Sequence, residues 1–224
     1  TFKGFKNKIT YGRKPAGFYI PRFRNIGGIT DRKDFIRGYQ YQGGASRGFM
    51  SIADSAEELI SYGPKFKENI VKRDEWTASM NGFGEILPYH ENKMYLDQDD
   101  KDSWGLPKVV FDAEIKENEL NMRKDMMQQA IEMFEAAGAK EIVPYDKKYI
   151  FGNGIHEMGT ARMGDNPKNS VLNKHNQIHA VKNVYVTDGS CMTSSGNANP
   201  SLTYMALTAR AVKHAIQELN KKNL

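Results

Sequence analysis

The chain has 224 residues, of which 39% are hydrophobic and 26% charged, and its formal net charge is +5. This composition is typical of a folded globular protein and excludes intrinsic disorder and collagen-like repeats. No apolar run reaches the ~20 residues of a membrane helix, and the only cysteine, Cys191, excludes an intramolecular disulfide. Apart from a short basic run at residues 3–8, the cations are mixed with acids, and no nucleic-acid-binding motif is present. The sequence therefore predicts neither a membrane span nor a nucleic-acid partner, and leaves cytoplasmic and periplasmic locations both open.

The first two thirds of the chain predict β structure. Pro21 marks an edge strand because it cannot donate a backbone hydrogen bond. The predicted strands lie at residues 18–23, 34–42, 84–87 and 108–113. The predicted turns and loops lie at residues 27–28, 43–44, 97–102 and 104–107. Three aromatic residues, Tyr39, Tyr41 and Phe49, either line a substrate site or pack in the core.

Two segments have the periodicity of amphipathic helices. The first contains Met122, Met126 and Met133, with Asn118 placed to cap its start and Gly138 placed for a left-handed residue at its end. The second runs from Pro200 to Leu219. Its apolar stripe consists of Leu202, Met205, Ala209, Val212, Ile216 and Leu219. Residues 183–187 predict one more strand, followed by a turn at Asp188-Gly189.

The start of the second helix is a candidate binding point. Asn199 is a preferred N-cap residue and Pro200 suits the first helical position, so free backbone donors and the positive dipole end are placed there. Such a point can hold an anion. The run of small polar residues 193–198 just before it lets backbone approach a ligand closely. An ordinary capped helix behind a surface loop is the structural alternative.

His156 is the candidate proton acceptor, because a glycine-rich loop, residues 151–155, leads into it and imidazole titrates near neutral pH. A structural histidine is the alternative. A zinc site is not predicted, because Thr160 occupies the position of the second histidine in H-E-x-x-H and because His175 and His179 lack a third ligand. The nucleophile elbow, the P-loop and the dinucleotide-binding G-x-G-x-x-G motif are also absent.

Three blocks of the sequence together resemble the C-terminal signature of the glucose–methanol–choline (GMC) oxidoreductases. They are His156–Asp165 (HEMGTARMGD), Asn183–Ser190 (NVYVTDGS) and Asn199–Arg210 (NPSLTYMALTAR). Shorter segments near residues 84–88, 95–97 and 104–107 are similar to the substrate domain of that family.

The resemblance implies FAD chemistry on an alcohol or sugar. In the family, a histidine in the first block accepts the hydroxyl proton while hydride passes to flavin N5, and that histidine is His156 here. Asn199 is expected to hydrogen-bond the same hydroxyl, as in the branch that contains pyranose and cholesterol oxidases. Asp188 and Gly189 are expected to contact the ribityl or diphosphate part of FAD. The helix start, Asn199, Pro200 and Ser201, is expected to face the flavin pyrimidine ring and to stabilise its negative charge.

The resemblance also implies a domain organisation. We expect an α+β fold: a largely antiparallel sheet flanked by helices in a substrate-binding domain (residues 1–155), then a segment (residues 156–224) that returns to the FAD-binding domain. Because the glycine-rich dinucleotide motif is missing, we expect a fragment that neither retains FAD nor turns over substrate by itself. Its expected partners are the N-terminal FAD domain, the substrate and an electron acceptor, which is oxygen, a quinone or another protein. The alternatives are a non-enzymatic anion- or ligand-binding α+β module and a purely structural domain.

Overall fold

The computed structural model describes residues 17–46, 63–71, 76–146, 151–152 and 154–224. Its elements are β1 (Phe18–Ile20), β2 (Tyr39–Ser46), α1 (Pro64–Val71), β3 (Thr77–Gly84), β4 (Lys93–Lys101), β5 (Pro107–Asp112), α2 (Glu117–Ala136), a 3-10 turn (Gly189–Cys191) and α3 (Ser201–Asn220). The described strands form two antiparallel sheets, ordered β1-β2-β3 and β4-β5. The predicted α+β class is therefore confirmed. Phe49 and the basic run at residues 3–8 lie outside the described residues.

Helix α2 covers one face of the three-stranded sheet and forms the core with it. Tyr39 and Tyr41, two residues apart on β2, are 0% and 1% exposed and pack with Met122 of α2. The Tyr41 hydroxyl donates a hydrogen bond of 2.6 Å to the carbonyl oxygen of Met126. Because both rings are enclosed between sheet and helix, they belong to the core and do not line a substrate site.

A buried ion pair links this core to the chain after β1. The Arg24 guanidinium donates two hydrogen bonds, of 2.8 and 3.0 Å, to the two carboxylate oxygens of Asp125 on α2. The Tyr39 hydroxyl donates to the same carboxylate. Burial, followed by the hydrogen bond to Asp125, raises the pKa of Tyr39 well above its ordinary value. The raised pKa keeps the phenol protonated at physiological pH, as the donor to Asp125.

The prediction of a turn at Gly43-Gly44 is wrong, because both glycines lie inside β2. Gly43 pairs with Phe18 on one side and Met80 on the other. A Cβ atom on Gly43 would lie 2.4 Å from the Phe18 ring and 2.5 Å from a carbonyl oxygen of β3. Because Gly43 has no side chain, the Phe18 ring of the edge strand β1 packs directly on β2 at this point. Gly43 therefore does not mark a chain reversal.

The second sheet corrects the prediction of a loop at residues 97–102. Strand β4 continues through this acidic stretch to Lys101, with a shift of register between Asp97 and Lys101. The carboxylates are exposed and compatible with the strand, since Asp100 pairs with Lys108 of β5 at 2.8 Å. The strand predicted at 108–113 and the turn before it are confirmed as β5 and the β4–β5 connection.

In two places a side chain of α2 accepts a hydrogen bond from the backbone of another segment, and the prediction there is wrong. The strand in the region of the predicted 84–87 strand is β3, Thr77–Gly84, which shares only Gly84 with the prediction. Beyond β3, the Leu87 amide donates to the buried carboxylate of Glu119 at 3.1 Å. Asn118 does not cap α2, which starts after Lys116. Its side-chain oxygen instead accepts from the Ile36 amide at 2.8 Å. Gly138 has φ +79°, as predicted for the residue after this helix.

The C-terminal third is mostly irregular before α3. The strand predicted at 183–187 is absent from the described residues there, where Tyr185 makes only an isolated bridge to Gln177. The backbone groups of Val186 pair with Asn176: its amide donates to the Asn176 carbonyl at 2.9 Å and its carbonyl accepts from the Asn176 side chain at 3.0 Å. A fully buried asparagine side chain thus replaces a neighbouring strand.

Helix α3 confirms the predicted final helix and its stripe. Its apolar residues are exposed, with Leu202 at 79% and Leu219 at 61%. The buried contact comes from Ala211, which is 1% exposed. Arg210 anchors the helix by donating a hydrogen bond of 3.0 Å to the Asn176 side chain. The described chain therefore leaves the predicted apolar stripe uncovered.

Candidate functional site

His156 lies on a loop whose backbone is shaped by left-handed residues. Ile155 and Gly159, which flank it closely, have φ +73° and +90°. The Glu157 carboxylate accepts a hydrogen bond from the Gly154 amide and closes the turn around the histidine. His156 itself is partly buried. The Glu157 carboxylate thus shapes the loop that presents the imidazole.

The His156 loop is joined by backbone hydrogen bonds to the 3-10 turn before α3. The Ala161 amide donates to the Ser190 carbonyl at 3.0 Å, and the Met163 amide donates to the Cys191 carbonyl at 2.9 Å. The first and second sequence blocks, about thirty residues apart, are therefore adjacent in the fold.

Asp188 and Gly189 form the start of that 3-10 turn. The Asp188 carboxylate accepts from the Ser190 amide at 2.8 Å and from the Ser190 hydroxyl, so it caps the turn while the residue remains exposed. Gly189 is partly enclosed: an added Cβ atom would lie 2.8 Å from the Tyr204 hydroxyl oxygen. Because Tyr204 belongs to the first turns of α3, the third sequence block joins the other two here.

The helix start differs by one position from the prediction. Helix α3 begins at Ser201, the N-cap position is held by Pro200, and no side chain caps the helix. Asn199 is exposed and Pro200 is buried. The first turn carries no acidic residue, so the amides at the start of the helix have neither a capping side chain nor a nearby carboxylate in that turn. Among the described residues, no side chain accepts a capping hydrogen bond from these amides.

The structure therefore brings the three segments together but does not join their key side chains. Within the described part of the chain, the side chains of His156 and Asn199 make no hydrogen bond with each other. Gly196, in the small-residue run before the helix, has φ +69°, and an added Cβ atom there would meet nothing within 4 Å. Open space thus lies beside Gly196, in the run of small residues that precedes the start of α3.

Two polar residues that organise this region were not predicted from the sequence. Asn176 joins α3 to residues 170–186, with φ +64° and 0% exposure. Tyr204 contacts both Gly189 and the His156 loop. The only signal in the sequence was the context of each residue: Asn176 stands in a turn-like His-Asn-Gln run, and Tyr204 is the one aromatic residue in the first turns of α3.

Burial sets the charge of two groups near the site. Burial raises the pKa of the Cys191 thiol, which is 0% exposed, and the nearby Asp188 acts in the same direction. Burial also raises the pKa of Tyr204, and Cys191 and Asp188 contribute. Both groups are therefore neutral at physiological pH, and Cys191 is a packing residue with no accessible thiolate.

The remaining histidines of this region have structural roles. His179 Nε2 lies 3.1 Å from both the Ser170 hydroxyl and the Gly164 carbonyl oxygen. The His175 ring stacks on His214 with ring centroids 3.9 Å apart. In the part of the chain that the structure describes, no group of three or more metal-ligating side chains occurs. Nor does any described helix have the length and apolar character to cross a membrane.

An apolar pocket of about 520 Å³ lies elsewhere, between the three-stranded sheet and the C-terminal end of α2. Its walls include Ile20, Met80 and Phe134, and no ionisable side chain lines it. Because several of these residues also pack against the core cluster, we interpret the pocket as a loosely filled extension of the core rather than as a reaction site.

The chain belongs to the GMC oxidoreductase family. The model of the C-terminal part of that family matches residues 88–208, which is more than half of this chain. The chain is 41% identical over 131 residues to 2-methyl-1,2-propanediol dehydrogenase of Mycolicibacterium austroafricanum, covering 58% of this chain and 23% of that protein. It is 29% identical over 161 residues to the fructose dehydrogenase large subunit of Gluconobacter japonicus, covering 71% of this chain and 29% of that protein. It is also 33% identical over 118 residues to paromamine 6'-oxidase of Streptomyces fradiae, covering 53% of this chain and 22% of that protein. The chain thus spans less than a third of the length of these relatives. The family is one of flavoprotein dehydrogenases and oxidases.

The residues of the site are compatible with the flavin that the family implies. The small-residue run leaves open space at Gly196, and the uncapped start of α3 offers backbone donors to an electron-rich ring. Asp188 is exposed, and its carboxylate can accept hydrogen bonds from hydroxyl groups of a ribityl chain.

Proposed function

We propose that this chain is the substrate-side and C-terminal part of an FAD-dependent oxidoreductase that acts on CH–OH groups. The observation that carries the proposal is that the His156 loop, the Asp188-Gly189 turn and the start of α3 lie together. Backbone hydrogen bonds from Ala161 and Met163 join the loop to the turn, and the close approach of Tyr204 to Gly189 joins the turn to α3. Membership of the GMC family supports the same conclusion. Bound FAD would supply the hydride acceptor, at flavin N5.

In this proposal His156 is the general base. The neutral imidazole accepts the proton of the substrate hydroxyl while a hydrogen leaves as hydride from the carbon that bears this hydroxyl. The alcohol thus loses two electrons and two hydrogens and becomes a carbonyl compound. Asn199 hydrogen-bonds the same oxygen and orients it. Because a carboxamide cannot accept a proton at neutral pH, the proton transfer depends on His156 alone.

The other residues would bind and orient FAD. Asp188 and Gly189 would contact its ribityl or diphosphate part. The positive end of α3, at Asn199, Pro200 and Ser201, would lie toward the flavin ring and would stabilise negative charge there. We assign residues 1–155 to a substrate-binding domain and residues 156–224 to the segment that completes the FAD domain.

The proposed substrate is an alcohol or a sugar, because the relatives named above include a 2-methyl-1,2-propanediol dehydrogenase and a fructose dehydrogenase large subunit. We further propose that the chain acts as part of a longer flavoprotein and does not retain FAD alone, since it covers only 23% of its relative from M. austroafricanum. Its exposed α3 stripe, including Leu202 and Leu219, supports this.

The test compares flavin reduction in the complete flavoprotein with that of its His156→Ala variant. Mixed anaerobically with short diols and with hexoses, the parent should lose its oxidised flavin absorbance with at least one of these substrates. The variant should retain flavin but react about 10²- to 10⁴-fold more slowly, the usual contribution of a general base. Asn199→Ala should slow the reaction by about tenfold at most, the effect of one hydrogen bond.

His90→Ala is the matched control, because His90 is an exposed histidine between β3 and β4. Its rate of flavin reduction should equal that of the parent. If His156→Ala reduces its flavin as fast as the His90→Ala control, His156 is not the base and the proposed mechanism is wrong.

A further inference from the structure

Tyr204 lies where all three sequence blocks meet. It stands near the start of α3, and its amide donates to the Pro200 carbonyl at 3.0 Å, which closes the first turn of the helix. Its hydroxyl donates to the Met158 sulfur at 3.7 Å. Met158 follows His156 by two residues. The side chain therefore connects the helix start to the loop that presents the candidate base.

Gly189 makes room for this connection. A Cβ atom there would lie 2.8 Å from the Tyr204 hydroxyl oxygen and 3.1 Å from the Met158 sulfur. The Glu157 carbonyl oxygen would be 3.2 Å away. The phenol thus occupies the notch left by the missing side chain of the residue after Asp188, and the His156 loop closes the same notch from the other side.

We propose that Tyr204 is a positioning residue: through its contacts with Met158 and Gly189, it fixes the His156 loop and the Asp188-Gly189 turn relative to the start of α3. This inference rests on the proposed function, because it assumes that His156 reacts with a substrate held at the start of α3. The hydroxyl acts as a hydrogen-bond donor and does not exchange its proton during the reaction. Its raised pKa, caused first by burial and then by Cys191 and Asp188, keeps it protonated.

The test variant is Tyr204→Phe in the complete flavoprotein, which keeps the ring and removes only the hydroxyl. Displacement of a reacting group by a fraction of an ångström slows a reaction without weakening substrate binding to the same extent. We expect the limiting rate constant for flavin reduction to fall by about tenfold while the substrate dissociation constant changes less than twofold. The pH midpoint of the reaction should be unchanged, because the base remains His156.

Two further variants make the test specific. Met158→Leu removes the sulfur acceptor at similar volume, so it should reproduce the loss even if Tyr204→Phe folds poorly. Tyr185→Phe is the control, since Tyr185 is another partly buried tyrosine, whose hydroxyl lies 3.0 Å from His214 Nδ1 and not at the His156 loop. The control should retain the parent rate.

The outcomes separate this inference from the function on which it rests. Parent-like rates in Tyr204→Phe or in Met158→Leu would overturn the positioning role, as would an equal loss in Tyr185→Phe. A shifted pH midpoint in Tyr204→Phe would also overturn it, because the hydroxyl would then take part in proton transfer. If His156→Ala is unaffected, the proposed function itself fails, whatever the tyrosine variants do.

Discussion

Replacing Asp125 with alanine should strongly destabilise the packing of α2 on the three-stranded sheet. The side chain of Asp125 is 7% exposed and that of its partner Arg24 is 14% exposed, so removing the carboxylate leaves a guanidinium buried without its two hydrogen bonds. Breaking a buried ion pair from one side costs about 3–5 kcal/mol. Tyr39 loses its acceptor as well, which favours the upper part of that range.

Urea unfolding followed by circular dichroism measures this cost. In thermal unfolding of a chain of this size, a loss of about 3 kcal/mol in the free energy of unfolding corresponds to a fall in melting temperature of at least ~6 °C. Asp100→Ala is the matched control, because its pair with Lys108 is 59% and 50% exposed, and such surface pairs contribute little. It should leave the free energy of unfolding unchanged within error.

A double variant tests the mechanism of the loss. Changing Arg24 to Met together with Asp125 to Leu removes both buried charges, and replacing a buried pair by apolar residues is often nearly neutral. The double variant should therefore be more stable than Asp125→Ala. A loss below about 1 kcal/mol in Asp125→Ala, or a double variant no more stable than the single one, would refute this reasoning.

Three further predictions concern the rest of the chain. Burial, followed by the stacked His214, lowers the pKa of His175 below its ordinary 6.5, so His175 stays neutral in the folded state where the unfolded chain takes up a proton. The free energy of unfolding should therefore fall as pH drops from 6.5 toward the lower folded-state pKa. Denaturant titrations across that range should show a smaller fall in His175→Phe. Gly43→Ala should lower the free energy of unfolding by about 1–3 kcal/mol through overpacking. Gly44→Ala should not produce this clash, because its added Cβ would meet nothing within 4 Å. Equal losses of unfolding free energy in the two variants, measured by urea unfolding, would contradict this. Leu202→Gln should change the free energy of unfolding by no more than about 0.5 kcal/mol, because Leu202 is 79% exposed. A larger loss in urea unfolding would show that Leu202 is packed against another part of the chain.

The two long helices were readable from the sequence because their signals are local and repeated. The methionine spacing of α2 extends over about three turns and the apolar stripe of α3 over about five, so a boundary error of one residue does not change either assignment. Their starts were less predictable. Asn118 has the chemistry of a cap, but Ile36, distant in sequence, uses its side-chain oxygen.

The strands were predicted less accurately because their partners are not local. The glycines of β2 and the aspartates of β4 look like turn and loop residues unless the neighbouring strand is known. The strand predicted at residues 183–187 is replaced by pairing between Val186 and the side chain of Asn176, and no periodicity in the sequence indicates such a replacement.

The candidate site was predictable as a set of segments but not as a geometry. The small-residue run, the glycine-rich loop and the helix start each have a recognisable pattern, and together they resemble one family. Their convergence depends on Gly189 and Tyr204, whose contact is set by tertiary packing. The sequence alone does not specify which phenol occupies the space beside a glycine.

The central claim is that one imidazole and one carboxamide, His156 and Asn199, act on the same substrate oxygen. A crystal structure of the complete flavoprotein with a bound alcohol analogue tests it most directly. The account predicts both side chains within about 2.6–3.2 Å of the analogue's hydroxyl oxygen, beside the flavin ring. Finding either side chain beyond hydrogen-bonding reach of that oxygen, or directed away from the ring, would contradict it.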